Sequence, residues 1–184
     1  MPNGVLVVDF GAQYAQLIAR RVREANVFSE IVPNSISAAS VKAKNPEAII
    51  LSGGPASVYV ERAPVLDLEI LKLGIPVFGI CYGFQAMTAA LGGVVSKTGK
   101  SEFGRTQISI SNSPKIFNST PVVQKIWMSH GDSVTQAPAG FVVTASSVDC
   151  PIAAYESSDG KIAGVQFHPE VVNSEYGQTI LKNW

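Results

Sequence analysis

The chain has 184 residues, 14 Lys+Arg against 14 Asp+Glu, 46 % hydrophobic and 15 % charged residues. That composition belongs to a folded domain rather than a disordered tail, and zero net charge excludes a strongly basic nucleic-acid binder that works by neutralising phosphates. No apolar run is long enough to span a bilayer, and Met1-Pro2-Asn3-Gly4 lacks the basic and apolar regions of a signal peptide, so a cytoplasmic protein is expected.

Val5 to Phe10 is a short run rich in β-branched residues, the pattern of a strand buried on both faces. Gln13 to Ala25 follows as a helix, with Leu17, Ile18 and Val22 on its apolar side. Val27 to Val32 reads as a second strand, Ala38 to Lys44 as a short helix and Ala48 to Leu51 as a third strand, which ends in Ser52-Gly53-Gly54-Pro55. Pro64 suits the first position of a helix reaching Leu73, with Gly74 beyond its end. Pro76 to Ile80 is a strand and Tyr82 to Leu91 a helix. This alternation predicts a parallel sheet with helices on both faces.

After residue 100 the pattern becomes strand-rich: 105–111, 122–128, 142–145, 152–156 and 161–167, with Asp159-Gly160 as a hairpin turn between the last two. These segments add antiparallel strands to the sheet, and Glu175 to Trp184 reads as a final helix. The expected fold class is α/β, with a mixed, mainly parallel central sheet. No repeat, low-complexity tract or linker separates the halves, so residues 1–184 are read as a single domain.

The scarce residues are two Cys (81 and 150) and two His (130 and 168). A Cys2His2 zinc site would need all four, and no C-x-x-C or H-x-x-x-H spacing exists, so no metal is expected. Gly79-Ile80-Cys81-Tyr82-Gly83 has the small-x-nucleophile-x-small form of a nucleophile elbow, with a buried strand leading in and a helix leading out. There the helix dipole and unpaired N–H groups favour a thiolate. Without its flanks Cys81 would read as an inert core cysteine, and the elbow turns that reading toward a nucleophile. Gln85, one helical turn on, shares its face.

A nucleophilic thiol needs a base held by a third group. His168, in Gln166-Phe167-His168-Pro169-Glu170, follows an apolar strand whose end converges with that of Cys81 on one sheet edge. Glu170 has the same-side spacing of an extended segment and can orient the imidazole; the alternative is a surface His beside a solvated Glu. His130, in Met128-Ser129-His130-Gly131-Asp132, is placed in a loop after another strand, with a binding or positioning role. Gly54 N–H and Tyr82 N–H are candidate oxyanion donors. Ser52-Gly53-Gly54-Pro55 lacks the Lys of a phosphate loop. Cys150 has no elbow and no His near it in sequence, and is read as a spectator.

Taken together, Gly53-Gly54-Pro55, Gly79 to Gln85 and Gln166 to Glu170 resemble the class I (triad) glutamine amidotransferases over nearly the whole chain. The resemblance implies the flavodoxin-like architecture of that family and a catalytic triad of Cys81, His168 and Glu170. In it Cys81 attacks the side-chain amide of glutamine, and a thioester forms and is hydrolysed. It also implies that Gly54, Gln85, Ser129, His130, Gly131 and Asp132 hold glutamine. Asp9-Phe10-Gly11-Ala12-Gln13-Tyr14, Ser52 to Tyr59 and Met128 to Asp132 are similar to the GMP synthetase branch. The branch implies an ATP pyrophosphatase (synthetase) partner, in the same longer chain or a separate subunit, that carries ATP, Mg and XMP. This chain is then expected to hold no cofactor itself, and to touch neither nucleic acid nor membrane. Amidotransferase subunits of anthranilate or aminodeoxychorismate synthase, and a cysteine hydrolase with the same triad, are the alternatives.

Overall fold

The first strand, β1 (Val5–Asp9), serves two cores at once, because successive side chains leave a strand on opposite faces. Val5 and Val7 pack with Ile18, Ala19 and Val22 of α1 (Ala15–Glu24). Leu6 and Val8 join the core on the other face. The computed structural model describes residues 3–11, 13–54, 57–112 and 114–184. Met1 and Pro2, Ala12 of the opening motif, and Pro55 and Ala56 of the Ser52–Tyr59 motif lie outside the described residues.

The chain continues through β2 (Ser29–Pro33), α2 (Ala38–Lys44), β3 (Ala48–Leu51), β4 (Val77–Ile80), α3 (Tyr82–Ala90), β5 (Val94–Ile110), β6 (Val123–Gln136), β7 (Phe141–Ser146), β8 (Ala154–Ser157), β9 (Ile162–Val165) and α4 (Gly177–Asn183). One sheet runs in the order β2-β1-β3-β4-β9-β8-β7-β5-β6. Pairings from β2 to β9 are parallel, and those from β9 to β6 are antiparallel. Val41 of α2 and Phe84 and Met87 of α3 fill the core opposite α1, while Ile180 of α4 joins α1's side. Helices therefore cover both faces, and the mixed α/β sheet expected from the sequence is present. Among the described residues, no helix is long and apolar enough to cross a membrane.

Three local expectations need correction. Residues 64–73 do not form an α-helix: only a 3-10 turn covers Leu68–Lys72. Asp67 is extended (φ −65°, ψ 108°), and its carboxylate accepts from Glu69 N–H at 3.1 Å and from Ala38 N–H at 2.7 Å, which caps the turn and ties it to α2. The strand expected from residue 105 begins at Val94, eleven residues earlier. Lys97, Thr98, Gly99 and Lys100 give that stretch no apolar pattern, and pairing with β6 supplies its structure, with a register shift between Lys97 and Glu102. Finally, His130 is in no loop: β6 continues through it to Gln136, and His130 pairs with Glu102 of β5.

Candidate active site

Cys81 joins β4 to α3 in a strained conformation, φ 51° and ψ −106°, which a non-glycine residue holds only when its surroundings enforce it. Its N–H donates to the Val165 carbonyl at 2.9 Å, and the next turn is pinned by Gly83 N–H to the Ser52 carbonyl at 3.0 Å. The glycines of the elbow are required by close approach. A Cβ on Gly79 would lie 2.7 Å from Phe84 Cα, and one on Gly83 2.4 Å from the Leu51 carbonyl oxygen. Cys81 is 6 % exposed, and its thiol lines a cleft of about 280 Å³ at the ends of the parallel strands and donates to the Ser129 carbonyl at 3.5 Å.

His168 and Glu170 are both buried, and His168 Nδ1 donates to Glu170 Oε1 at 2.7 Å. The expected contact is made, but through a turn at Pro169-Glu170 rather than an extended segment, since β9 ends at Val165. Burial pulls the imidazole pKa down. Hydrogen bonds to Cys81 and Glu170, with the charges of both, outweigh it and raise the pKa to about 11. The His168 N–H donates to the Trp127 carbonyl at 2.9 Å, and Ser174 Oγ donates to the His168 carbonyl. Tyr14 stands edge-on to the imidazole with ring centroids 5.7 Å apart, which brings the opening motif to the site. On the far side, Arg21 Nε donates to the Glu170 carbonyl at 2.9 Å.

The cleft is lined by Gly54, Ser57, Cys81, Tyr82, Gln85, Phe103, Ser129, His130, Gly131 and Asp132. The structure therefore gathers every residue singled out for glutamine binding around one opening. Gln85 Nε2 donates to the Asp132 carbonyl at 2.9 Å and to Gln166 Oε1 at 3.0 Å. The Asp132 carboxylate accepts from Ser57 Oγ. Neither Gly54 N–H nor Tyr82 N–H has an acceptor among the described residues.

Both ring nitrogens of His130 are occupied by the protein: Nδ1 by the Asp132 carbonyl at 2.8 Å and Nε2 by Glu102 Oε2 at 3.0 Å. Cys150, without a His near it in sequence, proves to lie beside this pair. Donor atoms of Glu102, His130 and Cys150 fall within 4.8 Å of one another. The cluster is closed by its own hydrogen bonds, with Ser147 Oγ donating to Glu102 at 2.6 Å and the Cys150 thiol to the Ile152 carbonyl at 3.4 Å. Burial, and next the charge of Glu102, push the Cys150 thiol up to about 12.

Sequence reasoning missed Glu102, Ser57, Gln166 and Ser174. Gln166 carried a signal, a polar residue at the end of an apolar strand two positions before His168. The others meet the site only through distant chain segments.

The family model for "Glutamine amidotransferase class-I" matches residues 6–184. The chain belongs to this family. It is 62 % identical over 177 residues to GMP synthase [glutamine-hydrolyzing] of Corynebacterium glutamicum (strain R), covering 96 % of this chain and 34 % of that protein. It is 58 % identical over 184 residues to the enzyme of the same name in Streptomyces avermitilis, covering 100 % and 35 %. The chain thus spans about a third of the length of these relatives. A crystal structure from Thermoplasma acidophilum, of a protein assigned as a GMP synthase subunit, superposes with a TM-score of 0.89 at 31 % identity and covers 100 % of this chain and 92 % of that one.

Proposed function

We propose that the chain is the glutaminase part of a GMP synthase: it hydrolyses the side-chain amide of glutamine and hands the ammonia to a synthetase. The observation that carries this reading is the strained Cys81 at the start of α3, placed where His168 and Glu170 form a buried, hydrogen-bonded pair. The Cys81 thiolate attacks the amide carbon, and the oxygen that gains charge is met by the N–H groups of Gly54 and Tyr82. His168 gives a proton to the departing ammonia, leaving a γ-glutamyl thioester. Water, deprotonated by His168, then attacks the thioester carbon; glutamate leaves, and the sulfur returns as thiolate with His168 protonated again. Glu170 holds the imidazole in the orientation both steps need.

Gln85, Ser129, Gly131 and Asp132 line the substrate's place, and His130, with both nitrogens engaged, sets the path of that strand segment. Residues 1–184 act as one glutamine amidotransferase domain in this reading, supported by the match over residues 6–184 and the single continuous sheet. The synthetase partner, which would use ATP, Mg and XMP, is supported by the names and greater length of the relatives. A cytoplasmic location accords with such a purine-forming enzyme.

The test uses this chain together with its synthetase. Cys81→Ala is expected to abolish glutamine-dependent GMP formation and leave formation from added ammonia intact. Loss of both by a folded variant refutes the division of labour. Turnover of peptides or esters but not glutamine would instead point to a general cysteine hydrolase.

A further inference from the structure

Gln166 is fully buried, with its side chain between Gln85 and Cys81. The direction of both amide groups follows from counting protons. The Asp132 main-chain carbonyl can only accept, so the Gln85 atom 2.9 Å from it is the NH2 group. The second neighbour of that NH2, 3.0 Å away on Gln166, must also accept, so Gln166 turns its oxygen toward Gln85. Its own NH2 is left facing the Cys81 sulfur, 3.7 Å away.

We propose that Gln166 is a further catalytic residue, whose side-chain N–H donates to the Cys81 sulfur and stabilises it as the thiolate. A hydrogen bond to an ionised acceptor is about twice as strong as one to a neutral group, so this contact favours the charged sulfur over the thiol. It also offsets the Ser129 carbonyl, whose oxygen 3.5 Å from the sulfur favours the protonated form. The same N–H serves the second half of the reaction. The sulfur of a thioester is a poor acceptor, and the sulfur leaving the collapsing tetrahedral intermediate is a good one, so the bond strengthens as the acyl group departs. Gln85 fixes the donor's direction, which links the residue facing substrate to the nucleophile through one shared amide.

This inference rests on Cys81 being the nucleophile, and the experiment separates the two. Alkylation of Cys81 by iodoacetamide, located by peptide mass, is followed against pH in the wild-type chain, in Gln166→Met and in the near-isosteric Gln166→Glu. Losing one charge-assisted hydrogen bond is expected to slow alkylation at pH 7 by about tenfold in Gln166→Met and move its pH profile to higher pH. Gln166→Glu keeps the acceptor for Gln85 but sets a carboxylate against the sulfur. It is expected to slow alkylation at least as much, and to lower kcat for glutamine while leaving KM nearly unchanged. A merely structural role would change stability without moving the alkylation profile. If Gln166→Met does not fold, Gln166→Glu decides alone. Wild-type rate and pH profile in the folded variants overturn the role of Gln166 and leave Cys81 standing. An unreactive wild-type Cys81 overturns both readings.

Discussion

The hydroxyl of Ser174 holds the main-chain carbonyl of His168 at 2.6 Å, and the hydroxyl oxygen accepts the Trp127 N–H at 3.0 Å. One side chain thus ties the turn that carries the imidazole to the strand that carries Ser129 and His130. Ser174→Ala leaves the Trp127 N–H without this partner, and the expected cost is about 1–3 kcal/mol of stability. Glutamine turnover should fall with it, because the imidazole loses its anchor. Urea denaturation and glutamate release measure the two effects, and Ser174→Thr, which keeps the hydroxyl, should restore most of both.

Glu170→Gln keeps the shape of the side chain but removes the charge that steadies the imidazolium. Glutaminase activity is expected to drop by roughly 10²- to 10⁴-fold, the range of a general acid–base contribution, with the fold intact by circular dichroism. Activity within about twofold of wild type would show that His168 does not depend on Glu170.

The pKa of His168, raised to about 11 against an ordinary 6.5, has a consequence for stability. A group whose pKa is higher in the folded state contributes stability that is fully present below its unfolded pKa and is lost as pH rises through the folded one. The hydrogen bond to Cys81 raises the pKa in both proteins, so the wild type should exceed Glu170→Gln in melting temperature at pH 6, with the gap closing only as the pH approaches 11. A gap that widens with pH would contradict the pairing.

Cys150 should be chemically silent. Its burial and the neighbouring Glu102 push the thiol up to about 12, so iodoacetamide at pH 7 to 8 should label Cys81 and spare Cys150 in the folded chain. Peptide mass mapping checks this directly, and equal labelling of both would overturn it.

Gly83→Ala tests the elbow's geometry. The added methyl would sit 2.4 Å from the Leu51 carbonyl oxygen, a backbone atom that cannot swing away. Overpacking of this kind costs about 1–3 kcal/mol, and here it acts two residues from the nucleophile. A lower denaturation midpoint and slower Cys81 alkylation are both expected.

The inner strands of the parallel half, β1, β3 and β4, were legible because they are apolar on both faces. The bounds of α2 and β3 agree with the sequence reading to the residue. The antiparallel edge was only half legible: Lys97, Gly99, Lys100, Glu102 and Gly104 interrupt any apolar alternation, and the strand there is supported by β6 beside it. In the site, the elbow and the His-Pro-Glu turn are local devices written in adjacent residues. The Glu102–His130 pair and the Gln85–Gln166–Cys81 contacts join residues 28 to 85 positions apart. No local pattern announces such a pairing, since Glu102 and Gln166 alone are ordinary polar residues.

The backbone of Cys81 is wound into a conformation costing of order 1–3 kcal/mol, and the bonds to Val165 and Ser52 keep it from unwinding. Reactivity therefore depends on those two bonds holding. At denaturant concentrations too low to melt the sheet, loosening either bond lets the elbow relax and the thiol turn away. The chain should fall silent toward glutamine while its circular dichroism still looks native.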